Sequence, residues 1–124
     1  MLKLLVMLKK KPGMSDEDFR AYYETTHSQM VRFIPEAKRY VRRYLVPLHN
    51  PVPTPDAPPA DVDVLTEVWF DDRASFETAM ARVSSPEISA IFAEDEENLF
   101  DRGFVRNFLV EECETELPLA SYDV

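Results

Sequence analysis

Residues 15–34 read SDEDFRAYYETTHSQMVRFI, and the spacing of their apolar positions decides how the rest of the chain must be arranged. At 100° per residue, Phe19, Tyr22, Tyr23, Thr26, Met30, Phe33 and Ile34 share one face. Glu17, Ala21, Glu24, Ser28 and Arg32 occupy the other. The pattern predicts one amphipathic helix over 15–34, which must lie on an apolar surface. Ser15 supplies the N-cap, with Asp18 three residues on as a shortened capping box. Asp16, Glu17 and Asp18 crowd the first turn, where the helix dipole favours anions. The stop falls at Ile34-Pro35, because the residue before proline is pushed out of the helical region. His27, one of two histidines, falls at the margin of the stripe, one turn after Tyr23. From there an imidazole can reach a pocket between helix and sheet.

The segments on either side supply that surface. Residues 2–9 alternate as a strand, with Leu2, Leu4, Val6 and Leu8 on one face and Leu5 and Met7 on the other. Residues 38–48 form a second strand, in which Tyr40, Arg42, Tyr44 and Val46 share a face. Which of its faces meets the helix is open at this level. Residues 63–70, DVLTEVWF, form a third strand: Val64, Thr66, Val68 and Phe70 face one way, Leu65, Glu67 and Trp69 the other. Asp71-Asp72 opens a second helix with Phe76, Met80 and Val83 inward. Ser85-Pro86 opens a third, reaching about Phe100, with Ile88, Ile91, Phe92, Asp95 and Leu99 in its stripe. Residues 104–113 form a fourth strand, apolar on both faces.

The order β-α-β-β-α(α)-β is an α+β, ferredoxin-like arrangement with a four-stranded antiparallel sheet. Helices cover one sheet face. The other face is also apolar, and a second copy of the sheet is the simplest cover, which predicts a homodimer closed as a barrel. Residues 1–114 form one domain, and 115–124 form a C-terminal arm. The proline-rich connection 47–62 is stiff and extended, either a surface excursion or a lid, the excursion being the commoner case.

Composition removes several function classes. A net charge of −9 argues against nucleic acid and against an anionic membrane surface. The run Lys38, Arg39, Arg42, Arg43 is a local exception, best read as cations paired with the abundant carboxylates. The N-terminal apolar run precedes its lysines and is too short to span a bilayer, so neither signal peptide nor membrane segment is expected. One cysteine, Cys113, rules out an internal disulfide and, with that order of charges, places the protein in the cytoplasm. Two histidines and scattered acids give no metal-ligand spacing, and two glycines leave no phosphate-cradling loop. No metal and no cofactor are therefore expected, and His49, in the proline-rich loop, is read as solvated.

An N-terminal apolar strand leading to KKPGMSDEDFRAYYETTHSQMV, then RYVRRYLV, TEVWFDD and FLVEE, in this order, resembles the EthD family of dimeric α+β barrel proteins. The likeness spans most of residues 2–112. It implies the ferredoxin-like fold, a dimer, and a pocket between helices and sheet. It also implies a functional histidine at the end of the first helix, matched by His27. Tyr40 matches the aromatic residue early in the second strand, Glu67 and Trp69 the ELWF-like segment of the third, and Asp95 the acidic position of the last helix. Relatives include the methylmuconolactone isomerase type and polyketide-tailoring decarboxylases or dehydratases. The methylmuconolactone type uses a cysteine where this sequence has Val68.

Isomerisation, aldol cyclisation, dehydration and decarboxylation of oxo-compounds share one need. A base or acid moves a proton beside a carbonyl, and donors hold the enolate. His27 is the candidate acid or base. Tyr23, Tyr40, Arg42, Tyr44 and Trp69 are candidate substrate contacts, with Asp95 and Glu67 behind them as orienting carboxylates. Each has a blander reading beside it: tyrosines edging a core, Glu67 paired with an arginine, Asp95 bonded to nearby backbone. The expected function is cofactor-independent acid–base catalysis on a small cyclic, aromatic or polyketide-like oxo-compound. The alternatives are a cofactor-free monooxygenase on a phenolic substrate and a non-catalytic ligand-binding barrel.

Overall fold

The structure, a computed structural model, describes residues 1–52, 55 and 61–122. Four strands, β1 (Leu2–Leu8), β2 (Arg39–Tyr44), β3 (Val64–Phe70) and β4 (Arg106–Leu109), form one antiparallel sheet in the order β2-β3-β1-β4. Three α-helices, α1 (Asp16–Thr25), α2 (Arg73–Val83) and α3 (Pro86–Glu97), and a 3-10 segment, His27–Phe33, complete the fold. This is the ferredoxin-like α+β arrangement expected from the sequence.

Register fixes which side chains meet the helices. β1 and β3 pair along their full length, from Leu2 opposite Phe70 to Leu8 opposite Val64. β3 alternates buried and half-buried without a break. Val64, Thr66, Val68 and Phe70 go under the helices, and Leu65, Glu67 and Trp69 face the other way. β2 meets β3 with Tyr40 opposite Val68 and Arg42 opposite Thr66, so Tyr40, Arg42 and Tyr44 take the helix side. Two clusters form the core. Leu8, Phe19, Tyr23, Val64, Leu99 and Phe100 make one, Val68, Phe70 and Ala79 the other, and Tyr40 packs against both.

On the opposite sheet face, Trp69 lies between the Lys3 ammonium, 3.9 Å from its ring centre, and the Arg39 guanidinium at 4.7 Å. Arg43 ion-pairs with Glu67 across the strands. The Trp69 indole N–H is buried, with no partner among the described residues.

Several expected boundaries move. The helix over 15–34 stops at Thr25, and 27–33 winds as 3-10. The second strand ends at Tyr44, well before Leu48. The third helix ends at Glu97, and Leu99 and Phe100 are buried just beyond it. Ile91, expected inward, is 41% exposed. The fourth strand keeps only Arg106–Leu109, and all four of its residues are exposed. Its short pairing, Leu4–Met7 with 106–109, leaves it an edge strand with one partner. Part of the proline-rich loop expected over 47–62, residues 53–54 and 56–60, lies outside the described residues. Residues 110–122 hold no helix or strand.

Candidate active site

Ser15 caps α1 by accepting the Asp18 N–H at 3.1 Å, as its sequence predicts. At the end of the helix, side chains bond back to backbone carbonyls. Thr25 donates to Ala21 O and Ser28 to Glu24 O, both at 2.7 Å. Thr26 N–H makes the last α-type bond, to Tyr22 O, and Gln29 N–H bonds three residues back, to Thr26 O. His27 begins the tighter turn. It was expected at the edge of a continuous helix; it is instead 8% exposed, carried inward where the winding changes.

The imidazole is fixed on three sides. Its ring stands edge-on to Tyr23, 4.8 Å between centres, and to Phe100, at 4.9 Å. Its Nδ1 is bonded to Oδ2 of Asp95, which is 7% exposed. The other carboxylate oxygen of Asp95 accepts the Tyr22 hydroxyl at 2.8 Å. A carboxylate can only accept, so Nδ1 carries the proton and Nε2 is left as the ring nitrogen able to take another.

His27 lines a cavity of about 240 Å³ between the helices and the sheet. Its walls are mostly apolar: Leu4, Val6, Leu8 and Val68 from the sheet, Met30 and Val31 from the 3-10 segment with Ile34 just after it, Met80, Val83 and Phe92 from α2 and α3. Polar groups are few: Tyr23, Tyr40, Thr66, Glu96 and Asn107 beside His27. No lysine or arginine is among the residues that line it. The Tyr23 hydroxyl meets Thr66 Oγ1 at 2.5 Å and neighbours the Tyr40 hydroxyl. Three hydroxyls joined by at most two bonds leave at least one proton to donate elsewhere. Burial raises both tyrosine hydroxyls above the usual phenol range, so they remain protonated donors. Burial also pushes the Glu96 carboxyl up, against the pull of Arg102 and His27.

The expected site residues divide by geometry. His27, Tyr23 and Tyr40 come together at the cavity, with Asp95 directly behind His27. Arg42 and Tyr44 lie on the helix side of β2 but are engaged elsewhere. Arg42 donates to both oxygens of Glu24, at 2.9 and 2.7 Å, and Tyr44 donates to the same carboxylate at 2.6 Å. Arg42 holds the Glu24 carboxyl below its usual range. Neither lines the cavity, because the Glu24 carboxylate draws both toward the outer edge of α1. Trp69 and Glu67 are on the far face of the sheet, by the period of two. His49 is exposed. Sequence reading missed Tyr22, Thr66, Glu96 and Asn107. Thr66 had a signal: a hydroxyl in the middle of an otherwise apolar strand face. Glu96 had none beyond its place next to Asp95.

Among the described residues, no group of three or more His, Cys, Asp or Glu side chains is placed to hold a metal ion, and no helix is long and apolar enough to cross a membrane. No curated protein matches the sequence. Solved structures do match the fold. An EthD family protein from Bacillus halodurans is 20% identical, with a TM-score of 0.61 over 91% of this chain and 100% of that one. A dimeric ferredoxin-like protein from Thermobifida fusca is 14% identical, with a TM-score of 0.56 over 88% of each chain. SnoaB, a cofactor-independent oxygenase from Streptomyces nogalater, is 13% identical, with a TM-score of 0.53 over 92% of this chain and 94% of its own. The EthD domain model matches residues 11–103, and the chain belongs to the EthD family.

Proposed function

We propose that the protein is a cofactor-independent acid–base enzyme, of isomerase, cyclase or decarboxylase type, acting on a small cyclic or aromatic oxo-compound. The observation that carries this reading is His27, buried at an apolar cavity with its Nδ1 bonded to Asp95. The carboxylate fixes the tautomer and favours the imidazolium formed when Nε2 takes a proton. The leftover hydroxyl donor of the Tyr40–Tyr23–Thr66 chain supports the enolate oxygen. The test is turnover of a panel of enolisable cyclic ketones, lactones and phenols by the wild type and His27→Ala. Loss of about 10²–10⁴-fold is expected. Equal turnover removes His27 from the mechanism.

The half-buried apolar residues of the far sheet face, with Trp69 and its unpartnered N–H, support a homodimer closed over that face. The exposed, lone Cys113 accords with a cytoplasmic setting. A second reading, a cofactor-free monooxygenase, draws on the fold shared with SnoaB. Oxygen uptake during turnover separates the two.

A further inference from the structure

Glu96 belongs to two spaces at once. It lines the inner cavity, and with Val83 and Phe92 it also lines an outer depression of about 280 Å³ between the ends of α2 and α3. On the outer side its Oε2 lies 3.5 Å from Arg102, which is itself held by Glu97 at 2.7 Å. Glu96 thus stands in the wall between the reaction space and solvent, where a carboxyl can exchange protons with both. Its burial favours the protonated form, the form a donor needs. His27 and Glu96 both line the cavity, and an imidazole and a carboxyl can each give and take a proton.

The same wall restricts the ligand. With Asp95 and Glu96 nearby and no lysine or arginine lining the cavity, a bound carboxylate or phosphate would be desolvated with no permanent counter-charge. The volume exceeds the roughly 150 Å³ that holds benzene and is below the ~300 Å³ of drug-sized sites, so one or two rings fit.

Resting on the acid–base reading above, we propose that Glu96 is the second proton-transfer group of this cavity, and that the substrate is an uncharged, enolisable cyclic carbonyl compound whose proton moves between two carbons. His27 Nε2 removes a proton from the carbon beside the carbonyl, and the C–H electron pair passes through the carbonyl to oxygen, giving a dienolate held by the hydroxyl chain. Glu96 then delivers its proton to the γ-carbon. The dienolate pair forms that C–H bond and the carbonyl re-forms. The proton on His27 returns to the Glu96 carboxylate through solvent at the outer depression, and nothing is oxidised or reduced.

The probe is β,γ-cyclohexenone in deuterated buffer, with NMR following both isotope exchange at the carbon between carbonyl and alkene and conversion to the α,β isomer. The wild type is expected to do both. His27→Ala loses both. Glu96→Gln changes the ratio of isomerisation to exchange by about 10²-fold against isomerisation, and Glu96→Asp recovers part of it, with melting curves confirming that each variant folds. A wild-type ratio in Glu96→Gln overturns the role of Glu96 and leaves that of His27 standing. Exchange that survives His27→Ala, or a wild type that performs neither reaction, overturns the acid–base reading itself. For the charge class, naphthol is expected to bind at least about tenfold more tightly than naphthoate. Equal binding of the pair overturns the uncharged substrate.

Discussion

Replacing Asp95 separates what this residue does for the fold from what it does for the chemistry. Asp95→Ala removes the acceptor of two bonds, from His27 Nδ1–H and from the Tyr22 hydroxyl at 2.8 Å. His27 is buried and edge-on to two rings, so its donor has no water to turn to. An orphaned buried donor costs about 1–3 kcal/mol. Tyr22 is only half-buried and recovers part of its bond from solvent, adding about 0.5–1.5 kcal/mol. The expected loss in urea unfolding is therefore about 1.5–4.5 kcal/mol, with an unchanged m-value. Asp95→Asn behaves differently. Its amide oxygen accepts from His27, and its NH₂ donates to a Tyr22 hydroxyl that rotates to accept, so both bonds survive and the cost is below about 1 kcal/mol. The charge, however, is gone, and the imidazolium that the proposed reaction forms would lose its counter-ion. Asn should then keep the fold and lose turnover. An Ala variant that costs less than about 1 kcal/mol, an Asn variant as unstable as Ala, or an Asn variant with wild-type turnover would each refute this reasoning.

Two further outcomes follow from the geometry. Tyr23→Phe keeps the ring packing and removes the hydroxyl bonded to Thr66, so unfolding should show a loss of about 1–2 kcal/mol. Adding Thr66→Val should then cost less than it does alone, and strict additivity would speak against the bond. The Arg82 guanidinium, donating to both oxygens of Glu36 at 2.6 and 2.7 Å, together with the Glu36 backbone N–H, holds that carboxyl at about 2. A folded value below the ordinary 4.5 means that the stabilisation is complete above about 4.5 and is lost as pH falls toward 2. Melting temperatures of Glu36→Gln should fall less steeply than those of the wild type across that range, and parallel curves would sink the assignment.

The sheet was legible because its signal is local and redundant. Val64, Thr66, Val68 and Phe70 alternate with Leu65, Glu67 and Trp69, and a one-residue slip would invert every one of them. The helix after β1 was legible at its start, where Ser15 and three acids mark the N-terminus, and misread at its end. A helical wheel cannot see Thr25 and Ser28 bonding back to carbonyls one turn earlier, since the competing interaction is weaker than the apolar period in any window. His27, at the start of the 3-10 turn, is packed between Tyr23 and Phe100. Arg42 and Tyr44 share a strand face with Tyr40, as the period of two requires. That period says nothing about Glu24, whose carboxylate holds both away from the cavity.

Val68 decides how far the family resemblance can be carried into chemistry. The methylmuconolactone type has a cysteine at this position, and here the position is in the cavity wall, part of the same strand face as Thr66. A thiol at that place would face the ligand; an isopropyl group faces it instead. Cys113 does not replace it, being exposed and beyond the end of β4. With the nucleophilic position occupied by a hydrocarbon, the groups left to act on a ligand are the imidazole, the Glu96 carboxyl and the hydroxyl chain. All of these can give or take protons. On the acid–base reading proposed above, the ratio of exchange to isomerisation is therefore the quantity to measure.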